Sequence, residues 1–339
     1  MIDTEKRNRP QNNQEMQMNQ NQTSYDQPVR PNIQQNMQQT PKVSQQLADT
    51  PLYKTLVGTR DNIKILDNRY YPNYGVTVMI IEYQKLLGNT NLYNASTLYF
   101  MHEENLRCRQ IGMFISNNGV KIEAGAMSYF QGPLQCTTGI TDIGKLARQA
   151  FTSKLTNEKL IMPEYNGSGI LVLEPSFKHF IVMELAPGEQ IICDKGMFFA
   201  ASKSVNIEPT FAGSPSGSIL GGEGVFQQLI TGPGMVILES PVPMQEINVL
   251  ELNNDILRVD GNFALLRTGG ISMSVETVSQ SFVGSAMTGE GLVNVYRGTG
   301  KVWIAPTLKV YDAIRVAKST GGDLSKVDFN TSTGKTKPK

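Results

Sequence analysis

The sequence predicts an all-β fold, a sandwich or barrel of short strands. From about Ala95 onward, brief β-type runs alternate with Gly, Pro and Asn, the residues that make turns. Those turn signals recur at strand-length intervals. One glycine pattern returns three times in the same order.

Composition narrows the function before any element is placed. The 339 residues carry 31 Lys and Arg against 30 Asp and Glu, a net charge of +1. That balance argues against a protein that wraps nucleic acid by bulk electrostatics, and no nucleic acid is expected as a partner. Apolar runs such as Val78–Ile81 fall far short of the roughly 20 residues that span a bilayer. Met1–Gln20 has no apolar core and includes Asp3, Glu5 and Glu15, so it reads as neither a secretory signal nor a transit peptide. Two His and three Cys leave little material for a zinc site, and no metal or cofactor is expected. Cys108, Cys136 and Cys193 are odd in number and widely separated, which suits three buried free thiols in a cytoplasmic protein. A catalytic Cys would need a nearby His, and only His102 and His179 are available.

Taken in order, residues 1–50 form a Gln/Asn-rich tail, with Gln11-Asn12-Asn13-Gln14 typical of it; so sparse an apolar content predicts disorder. Residues 51–95 read as an N-terminal extension packed on the core. Within it, Met79, Ile80, Tyr83, Leu86 and Leu87 fall on one helical face, and Gly88 would stop the helix. The β-branched run Val76–Ile81 argues for a strand instead; we take the helix. Residues 96–310 are read as the β domain. Asn117-Asn118-Gly119 predicts a hairpin turn between Arg109–Ser116 and Val120–Glu123. Ala186-Pro187-Gly188-Glu189 predicts a turn, and Asp260-Gly261 another, between Ile256–Val259 and Phe263–Leu266. One amphipathic helix interrupts the strands, with Ile143, Leu146, Ala147, Ala150 and Phe151 on one face. Its start, Gly139 to Lys145, fits G-x-x-x-x-G-K, but Leu146 stands where Ser or Thr would ligate magnesium, so no phosphate loop is expected. Residues 311–339 read as a flexible Lys-rich tail, whose last part, Lys318–Lys339, holds five Lys against Asp323 and Asp328.

The repeat decides how the glycines are read. The pairs Gly167/Gly169, Gly232/Gly234 and Gly298/Gly300 begin 65 and 66 residues apart. A second element, Ile122-Glu-Ala-Gly125, Cys193-Asp-Lys-Gly196 and Val259-Asp-Gly261, keeps step with them. We read three repeats, at about 119–185, 186–250 and 251–307. Each G-x-G leads into a strand, with no third Gly and no helix, so a dinucleotide fingerprint is excluded and tight turns or bulges are expected. Gly222-Glu223-Gly224 and Gly289-Glu290-Gly291 are matching turns, with Glu158 as the counterpart of their carboxylates. These three Glu are the candidate ligand-binding or acid/base residues; accepting hydrogen bonds from turn N–H groups is the structural alternative.

The strings Ile122-Glu-Ala-Gly-Ala-Met-Ser-Tyr-Phe-Gln-Gly132, Gly221-Gly-Glu-Gly-Val-Phe226, Thr231-Gly-Pro-Gly234, Gly289-Glu-Gly-Leu292 and Gly298-Thr-Gly-Lys-Val-Trp303 resemble the mitochondrial biogenesis family called altered inheritance of mitochondria twenty-four. The resemblance runs from about Ala95 to Thr307. It implies a fold related to the tryptophan RNA-binding attenuation protein, a double-stranded β-helix type of architecture, and no established enzyme activity. The yeast member is linked to organisation of the mitochondrial inner membrane. Lacking a presequence, this chain is expected to be a cytosolic, bacterial-type member.

The expected function is therefore a non-enzymatic structural or scaffold protein that forms a homo-oligomer and meets protein partners through its tails, with peripheral membrane contact left open. A small-ligand or RNA-binding β module is the second reading. A hydrolase using paired Glu carboxylates is the third.

Overall fold

The computed structural model describes residues 45–138, 162–194, 196–212, 225–261, 263–277 and 292–319. In chain order the strands are β1 (Ile63–Tyr71), β2 (Val76–Tyr83), β3 (Cys108–Ile122), β4 (Met127–Gln131), β5 (Leu134–Thr137), β6 (Glu164–Leu173), β7 (His179–Leu185), β8 (Gln190–Asp194), β9 (Phe198–Ser202), β10 (Asn206–Ala212), β11 (Val225–Thr231), β12 (Gly234–Ser240), β13 (Asn248–Asp260), β14 (Ala264–Thr268), β15 (Ile271–Thr277) and β16 (Leu292–Ile304). The helices are α1 (Gln45–Ala48), α2 (Pro51–Leu56), α3 (Leu92–Glu103) and α4 (Leu308–Ser319). The predicted all-β class is what the chain adopts.

Two antiparallel sheets carry these strands. The nine-stranded sheet runs β1-β2-β3-β9-β12-β7, with β6 also on β3 and with β4 and β5 on β6. The seven-stranded sheet runs β10-β11-β8-β14-β16-β13, with β15 also on β16. The core forms layers around them. Val78, Ile111, Val120, Leu171 and Ile237 fill the inner face of the larger sheet. Val236 and Leu238 on its other face meet Ile191, Cys193, Leu266 and Trp303 of the smaller sheet. Every residue of β12 is buried because its two faces serve two cores, which explains its unbroken apolar run Met-Val-Ile-Leu. A third cluster lies under α2, and a fourth inside the smaller sheet around Leu252, Ile271, Tyr296 and Val302.

Several expectations change. Val76–Tyr83 is a strand, not a helix. Val78 and Ile80 enter one core while Met79 and Ile81 enter another. Two covered faces make apolar residues consecutive, and in a window this short that imitates a helical stripe. Asn117-Asn118-Gly119 is not a hairpin, because β3 runs straight through it. Only Asn117 takes a positive φ, 48°, so the chain gains a bulge, whereas a two-residue hairpin turn needs two such residues. Asp260-Gly261 does turn, but β13 and β14 are not neighbours: β16 lies between them and pairs with both. The Ala186–Glu189 turn forms, with Glu189 N–H donating to the Ala186 carbonyl at 3.0 Å, and it carries the chain from one sheet to the other.

The boundary between extension and β domain also moves. β1 and β2 are full members of the larger sheet, and residue 96 falls inside α3. Residues 45–50 contain α1 and the Thr50 cap of α2, so the N-terminal tail cannot reach residue 50. Residues 308–319 are helical, so the C-terminal tail cannot begin at 311. The amphipathic helix expected over 143–151 and the remainder of both tails lie outside the described residues.

Two long strand pairs share one irregularity. In β3–β6 the register slips between Ile115, opposite Gly169, and Asn118, opposite Gly167. In β13–β16 it slips between Leu252, opposite Gly300, and Asp255, opposite Gly298. The bulged residues Asn117 and Asn254 have φ of 48° and 51°. Their N–H groups donate to the hydroxyls of Ser168 at 2.9 Å and Thr299 at 3.0 Å. In β7–β12 the corresponding pair is Leu185 opposite Gly234, and there the chain leaves the sheet altogether.

Candidate functional site

The predicted carboxylates Glu158, Glu223 and Glu290 lie outside the described residues, together with Gly222, Gly224, Gly289 and Gly291. The other predicted glycines fall at turns and bulges. Gly125, Gly196 and Gly261 turn the chain with φ of 87°, 86° and 80°. Gly167, Gly234, Gly298 and Gly300 have φ of 127°, 154°, 133° and 150°. Gly169 and Gly232 are not in the left-handed region; close contact excludes a side chain there, with the Gln131 and Ala186 carbonyl oxygens in the way.

The ionisable groups that the fold does bring together sit beside those turns. Glu123, Asp194 and Asp260 each stand at a strand end, one or two residues before the turn glycine. Each faces a cation from a distant part of the chain. Lys309 Nζ reaches Asp260 Oδ2 at 2.5 Å and lies 5.0 Å from the Phe263 ring centre. Near Glu123, Lys178 Nζ binds Glu239 Oε2 at 2.6 Å. Burial raises the Glu123 carboxyl above its ordinary range, Glu239 adds to the rise and Lys178 opposes it.

The arrangement around Asp194 is the most enclosed. Gln227 on β11, Asp194 on β8 and Arg267 on β14 occupy three adjacent strands. Gln227 Nε2 donates to Asp194 Oδ1 at 2.8 Å. Arg267 Nη1 donates to Gln227 Oε1 at 2.7 Å, and its Nε donates to the Ile271 carbonyl at 3.1 Å. Arg267 is only 6% exposed and Gln227 4%. Burial raises the Asp194 carboxyl, against the Gln227 hydrogen bond and the Arg267 charge. It lowers the Arg267 guanidinium, against Tyr296, Asp194 and Cys193. Burial also pushes the Tyr296 phenol up to about 12. One amide thus relays between a buried cation and a half-buried anion. Both charges gain partners, which a charge in low dielectric requires.

Neither buried cysteine is an activated nucleophile. His102 and Cys108 do line one small cavity of about 10 Å³, beside Tyr83 and Met101. Burial raises the Cys108 thiol, so it holds its proton and is a poor nucleophile. Cys193 is fully buried and pushed up to about 12. Cys136 is exposed, contrary to the expectation of three buried thiols, because β5 is a short strand with its outer residues open to solvent. The described residues contain no cluster of three or more His, Cys, Asp or Glu side chains able to hold a metal ion. No helix among them is long and apolar enough to cross a membrane.

Sequence reasoning passed over Glu123, Asp194, Asp260 and their partners, although a signal was present. The acid occurs in all three copies of the second repeated element, one or two residues before the glycine that drew attention. Arg267 and Gln227 carry no such local mark, because register alone brings them to Asp194.

Comparison with known proteins places the chain. A family model described as mitochondrial biogenesis AIM24 matches residues 112–307. The crystal structure of a protein from Streptococcus pyogenes is similar at 23% identity and a TM-score of 0.44, covering 61% of this chain and 94% of that one. No curated protein matches. The family match spans more than half of the chain and contains every turn glycine and all three acids described above, so the chain belongs to the mitochondrial biogenesis AIM24 family.

Proposed function

We propose that this protein is a non-enzymatic, self-associating scaffold, built from three copies of one β unit in a double-stranded β-helix arrangement like that of the tryptophan RNA-binding attenuation protein. The units are β3–β6, β7–β12 and β13–β16. Support for the repeat comes from register. Buried Ile115, Leu185 and Leu252 oppose Gly169, Gly234 and Gly300. Glu123, Asp194 and Asp260 take the same place before the turn. On this reading the units begin at the strand starts Cys108, His179 and Asn248, whereas the sequence reading began them at 119, 186 and 251.

The observation that carries the functional reading is the Asp194–Gln227–Arg267 relay. Gln227 holds Asp194 on one side and Arg267 on the other, and so ties three strands together, as a strut does. A catalytic pair would instead leave a polar atom aimed at a substrate position. Meanwhile large apolar side chains stand outside the sheets, on α3 and on α4, where Val310, Tyr311 and Ile314 are exposed. Apolar surface of this kind marks contact with other molecules.

The test is thermal unfolding across a hundredfold range of protein concentration. Assembly stabilises the native state by mass action, so the midpoint should rise with concentration. A midpoint independent of concentration would oppose the scaffold reading.

A further inference from the structure

One strand junction occurs twice in the chain, with the same register each time. Val120, Lys121 and Ile122 of β3 face Ser202, Ala201 and Ala200 of β9. Ile191, Ile192 and Cys193 of β8 face Thr268, Arg267 and Leu266 of β14. One further bond ends both ladders at the same place: Lys203 N–H donates to the Gly119 carbonyl at 2.9 Å, and Gly269 N–H to the Gln190 carbonyl at 2.8 Å. The third set of strands has no such junction. Among the described residues, β13 pairs only with β16, and β4 only with β6. Yet both carry the corresponding residues. Val259 stands before its turn glycine as Ile122 and Cys193 do. Tyr129, opposite Val172, follows a register slip, as do Ala200 opposite Ile237 and Leu266 opposite Trp303. The consequence is visible in exposure. Ala200, Ala201, Leu266 and Arg267 are buried, whereas Tyr129 and Phe130 are 44 and 42% exposed and Ile256 is 46% exposed.

We infer that β13 of one copy of the chain pairs antiparallel with β4 of a second copy, repeating between molecules the junction that joins units within one. The inference rests on the self-associating, three-unit reading above and names its contact. What commits the two edges to each other is that the chain already makes this junction twice. Carried over residue by residue, the register sets Leu257, Arg258 and Val259 against Gln131, Phe130 and Tyr129 of the neighbour. Gly132 N–H of the neighbour would then donate to the Ile256 carbonyl, as Lys203 and Gly269 do to theirs. An open edge presents a row of N–H and C=O groups, and a second strand satisfies them. β4 carries no charged side chain, so Arg258 meets no like charge there. Directly opposite Phe130, its guanidinium would lie within reach of the ring. β4 and β13 of one chain belong to different sheets. Each copy offers one edge of each kind, so the contact is head-to-tail and assembly continues until a ring closes.

Disulfide crosslinking between two variants of the full chain tests it. Both carry Cys136→Ser, which removes the exposed thiol. One adds Gln131→Cys and the other Leu257→Cys, a facing pair whose Cβ atoms would come close enough for a disulfide. In a glutathione redox buffer the mixture should form linked pairs at least about tenfold faster than either variant alone, because docking raises the local thiol concentration. Either variant alone linking as fast as the mixture would mean that like edges meet or that linking is collisional, and would overturn the contact. A mixture that does not link, while sedimentation velocity shows that the wild type assembles, would overturn the contact and leave self-association standing. A wild type that sediments as a single chain at every concentration would overturn both. One chain given both substitutions that forms its bond internally would close the two edges within a molecule and overturn the contact. Should circular dichroism show that a variant does not fold, hydrogen exchange of the wild type decides. Exchange over residues 129–132 and 256–259 should slow as concentration rises, and unchanged rates would overturn the contact.

Discussion

Gly167 and Gly298 show what single positions contribute. Their φ values, 127° and 133°, are ones that side chains rarely adopt, and an added Cβ would overlap the carbonyl oxygen of Pro133 or Gly270. The backbones of β5 and β15 approach this closely because the facing residue has no side chain. Gly298→Ala should cost about 2–4 kcal/mol by chemical denaturation. His179 makes a second residue-scale prediction. Burial holds its imidazole down to about 4, the Arg109 charge adds to this, and Glu246 and Glu82 oppose it. The native state keeps His179 neutral while the unfolded chain takes up a proton near 6.5. Its contribution is therefore complete above about pH 6.5 and is lost as pH falls toward 4. Asp194, raised by burial, acts in the opposite direction. His179→Phe should accordingly flatten the pH dependence of stability in that window relative to wild type. An unaltered slope would show that the imidazole is not shielded.

At the scale of elements, legibility depended on how many faces an element buries. The G-x-G strands were readable because their glycines recur in step with a second motif. β2 was not, since covering both of its faces removes the alternation that announces a strand. α3 was also hidden: with one face partly covered and an apolar outer face, it has little amphipathic pattern to detect. α2 illustrates a contact no local pattern reveals. Leu56 and Leu52 sit over Gly112 of β3, in the space a side chain there would fill. Thr50 caps the helix, accepting from the Tyr53 N–H at 3.3 Å. Leu56→Ala should cost about 2–5 kcal/mol, and Thr50→Ala about 1 kcal/mol. Both are measurable as shifts of the denaturation midpoint.

Across the whole molecule, the sheets are joined through β12, whose faces belong to different cores, so the two halves share their most buried strand. What the chain's order could not disclose was where its charges meet. Asp194, Gln227 and Arg267 are separated by 33 and 40 residues, and only strand register brings them into line. The candidate Glu residues drew attention through local repetition, whereas the acids beside the turn glycines acquire their partners through tertiary pairing. The central claim is that these groups hold strands together. A double-mutant cycle on Asp194→Asn and Arg267→Met, measured by equilibrium denaturation, tests it most directly. We expect a coupling of about 1–3 kcal/mol through the Gln227 relay. Effects that add to within about 0.5 kcal/mol would contradict a strut.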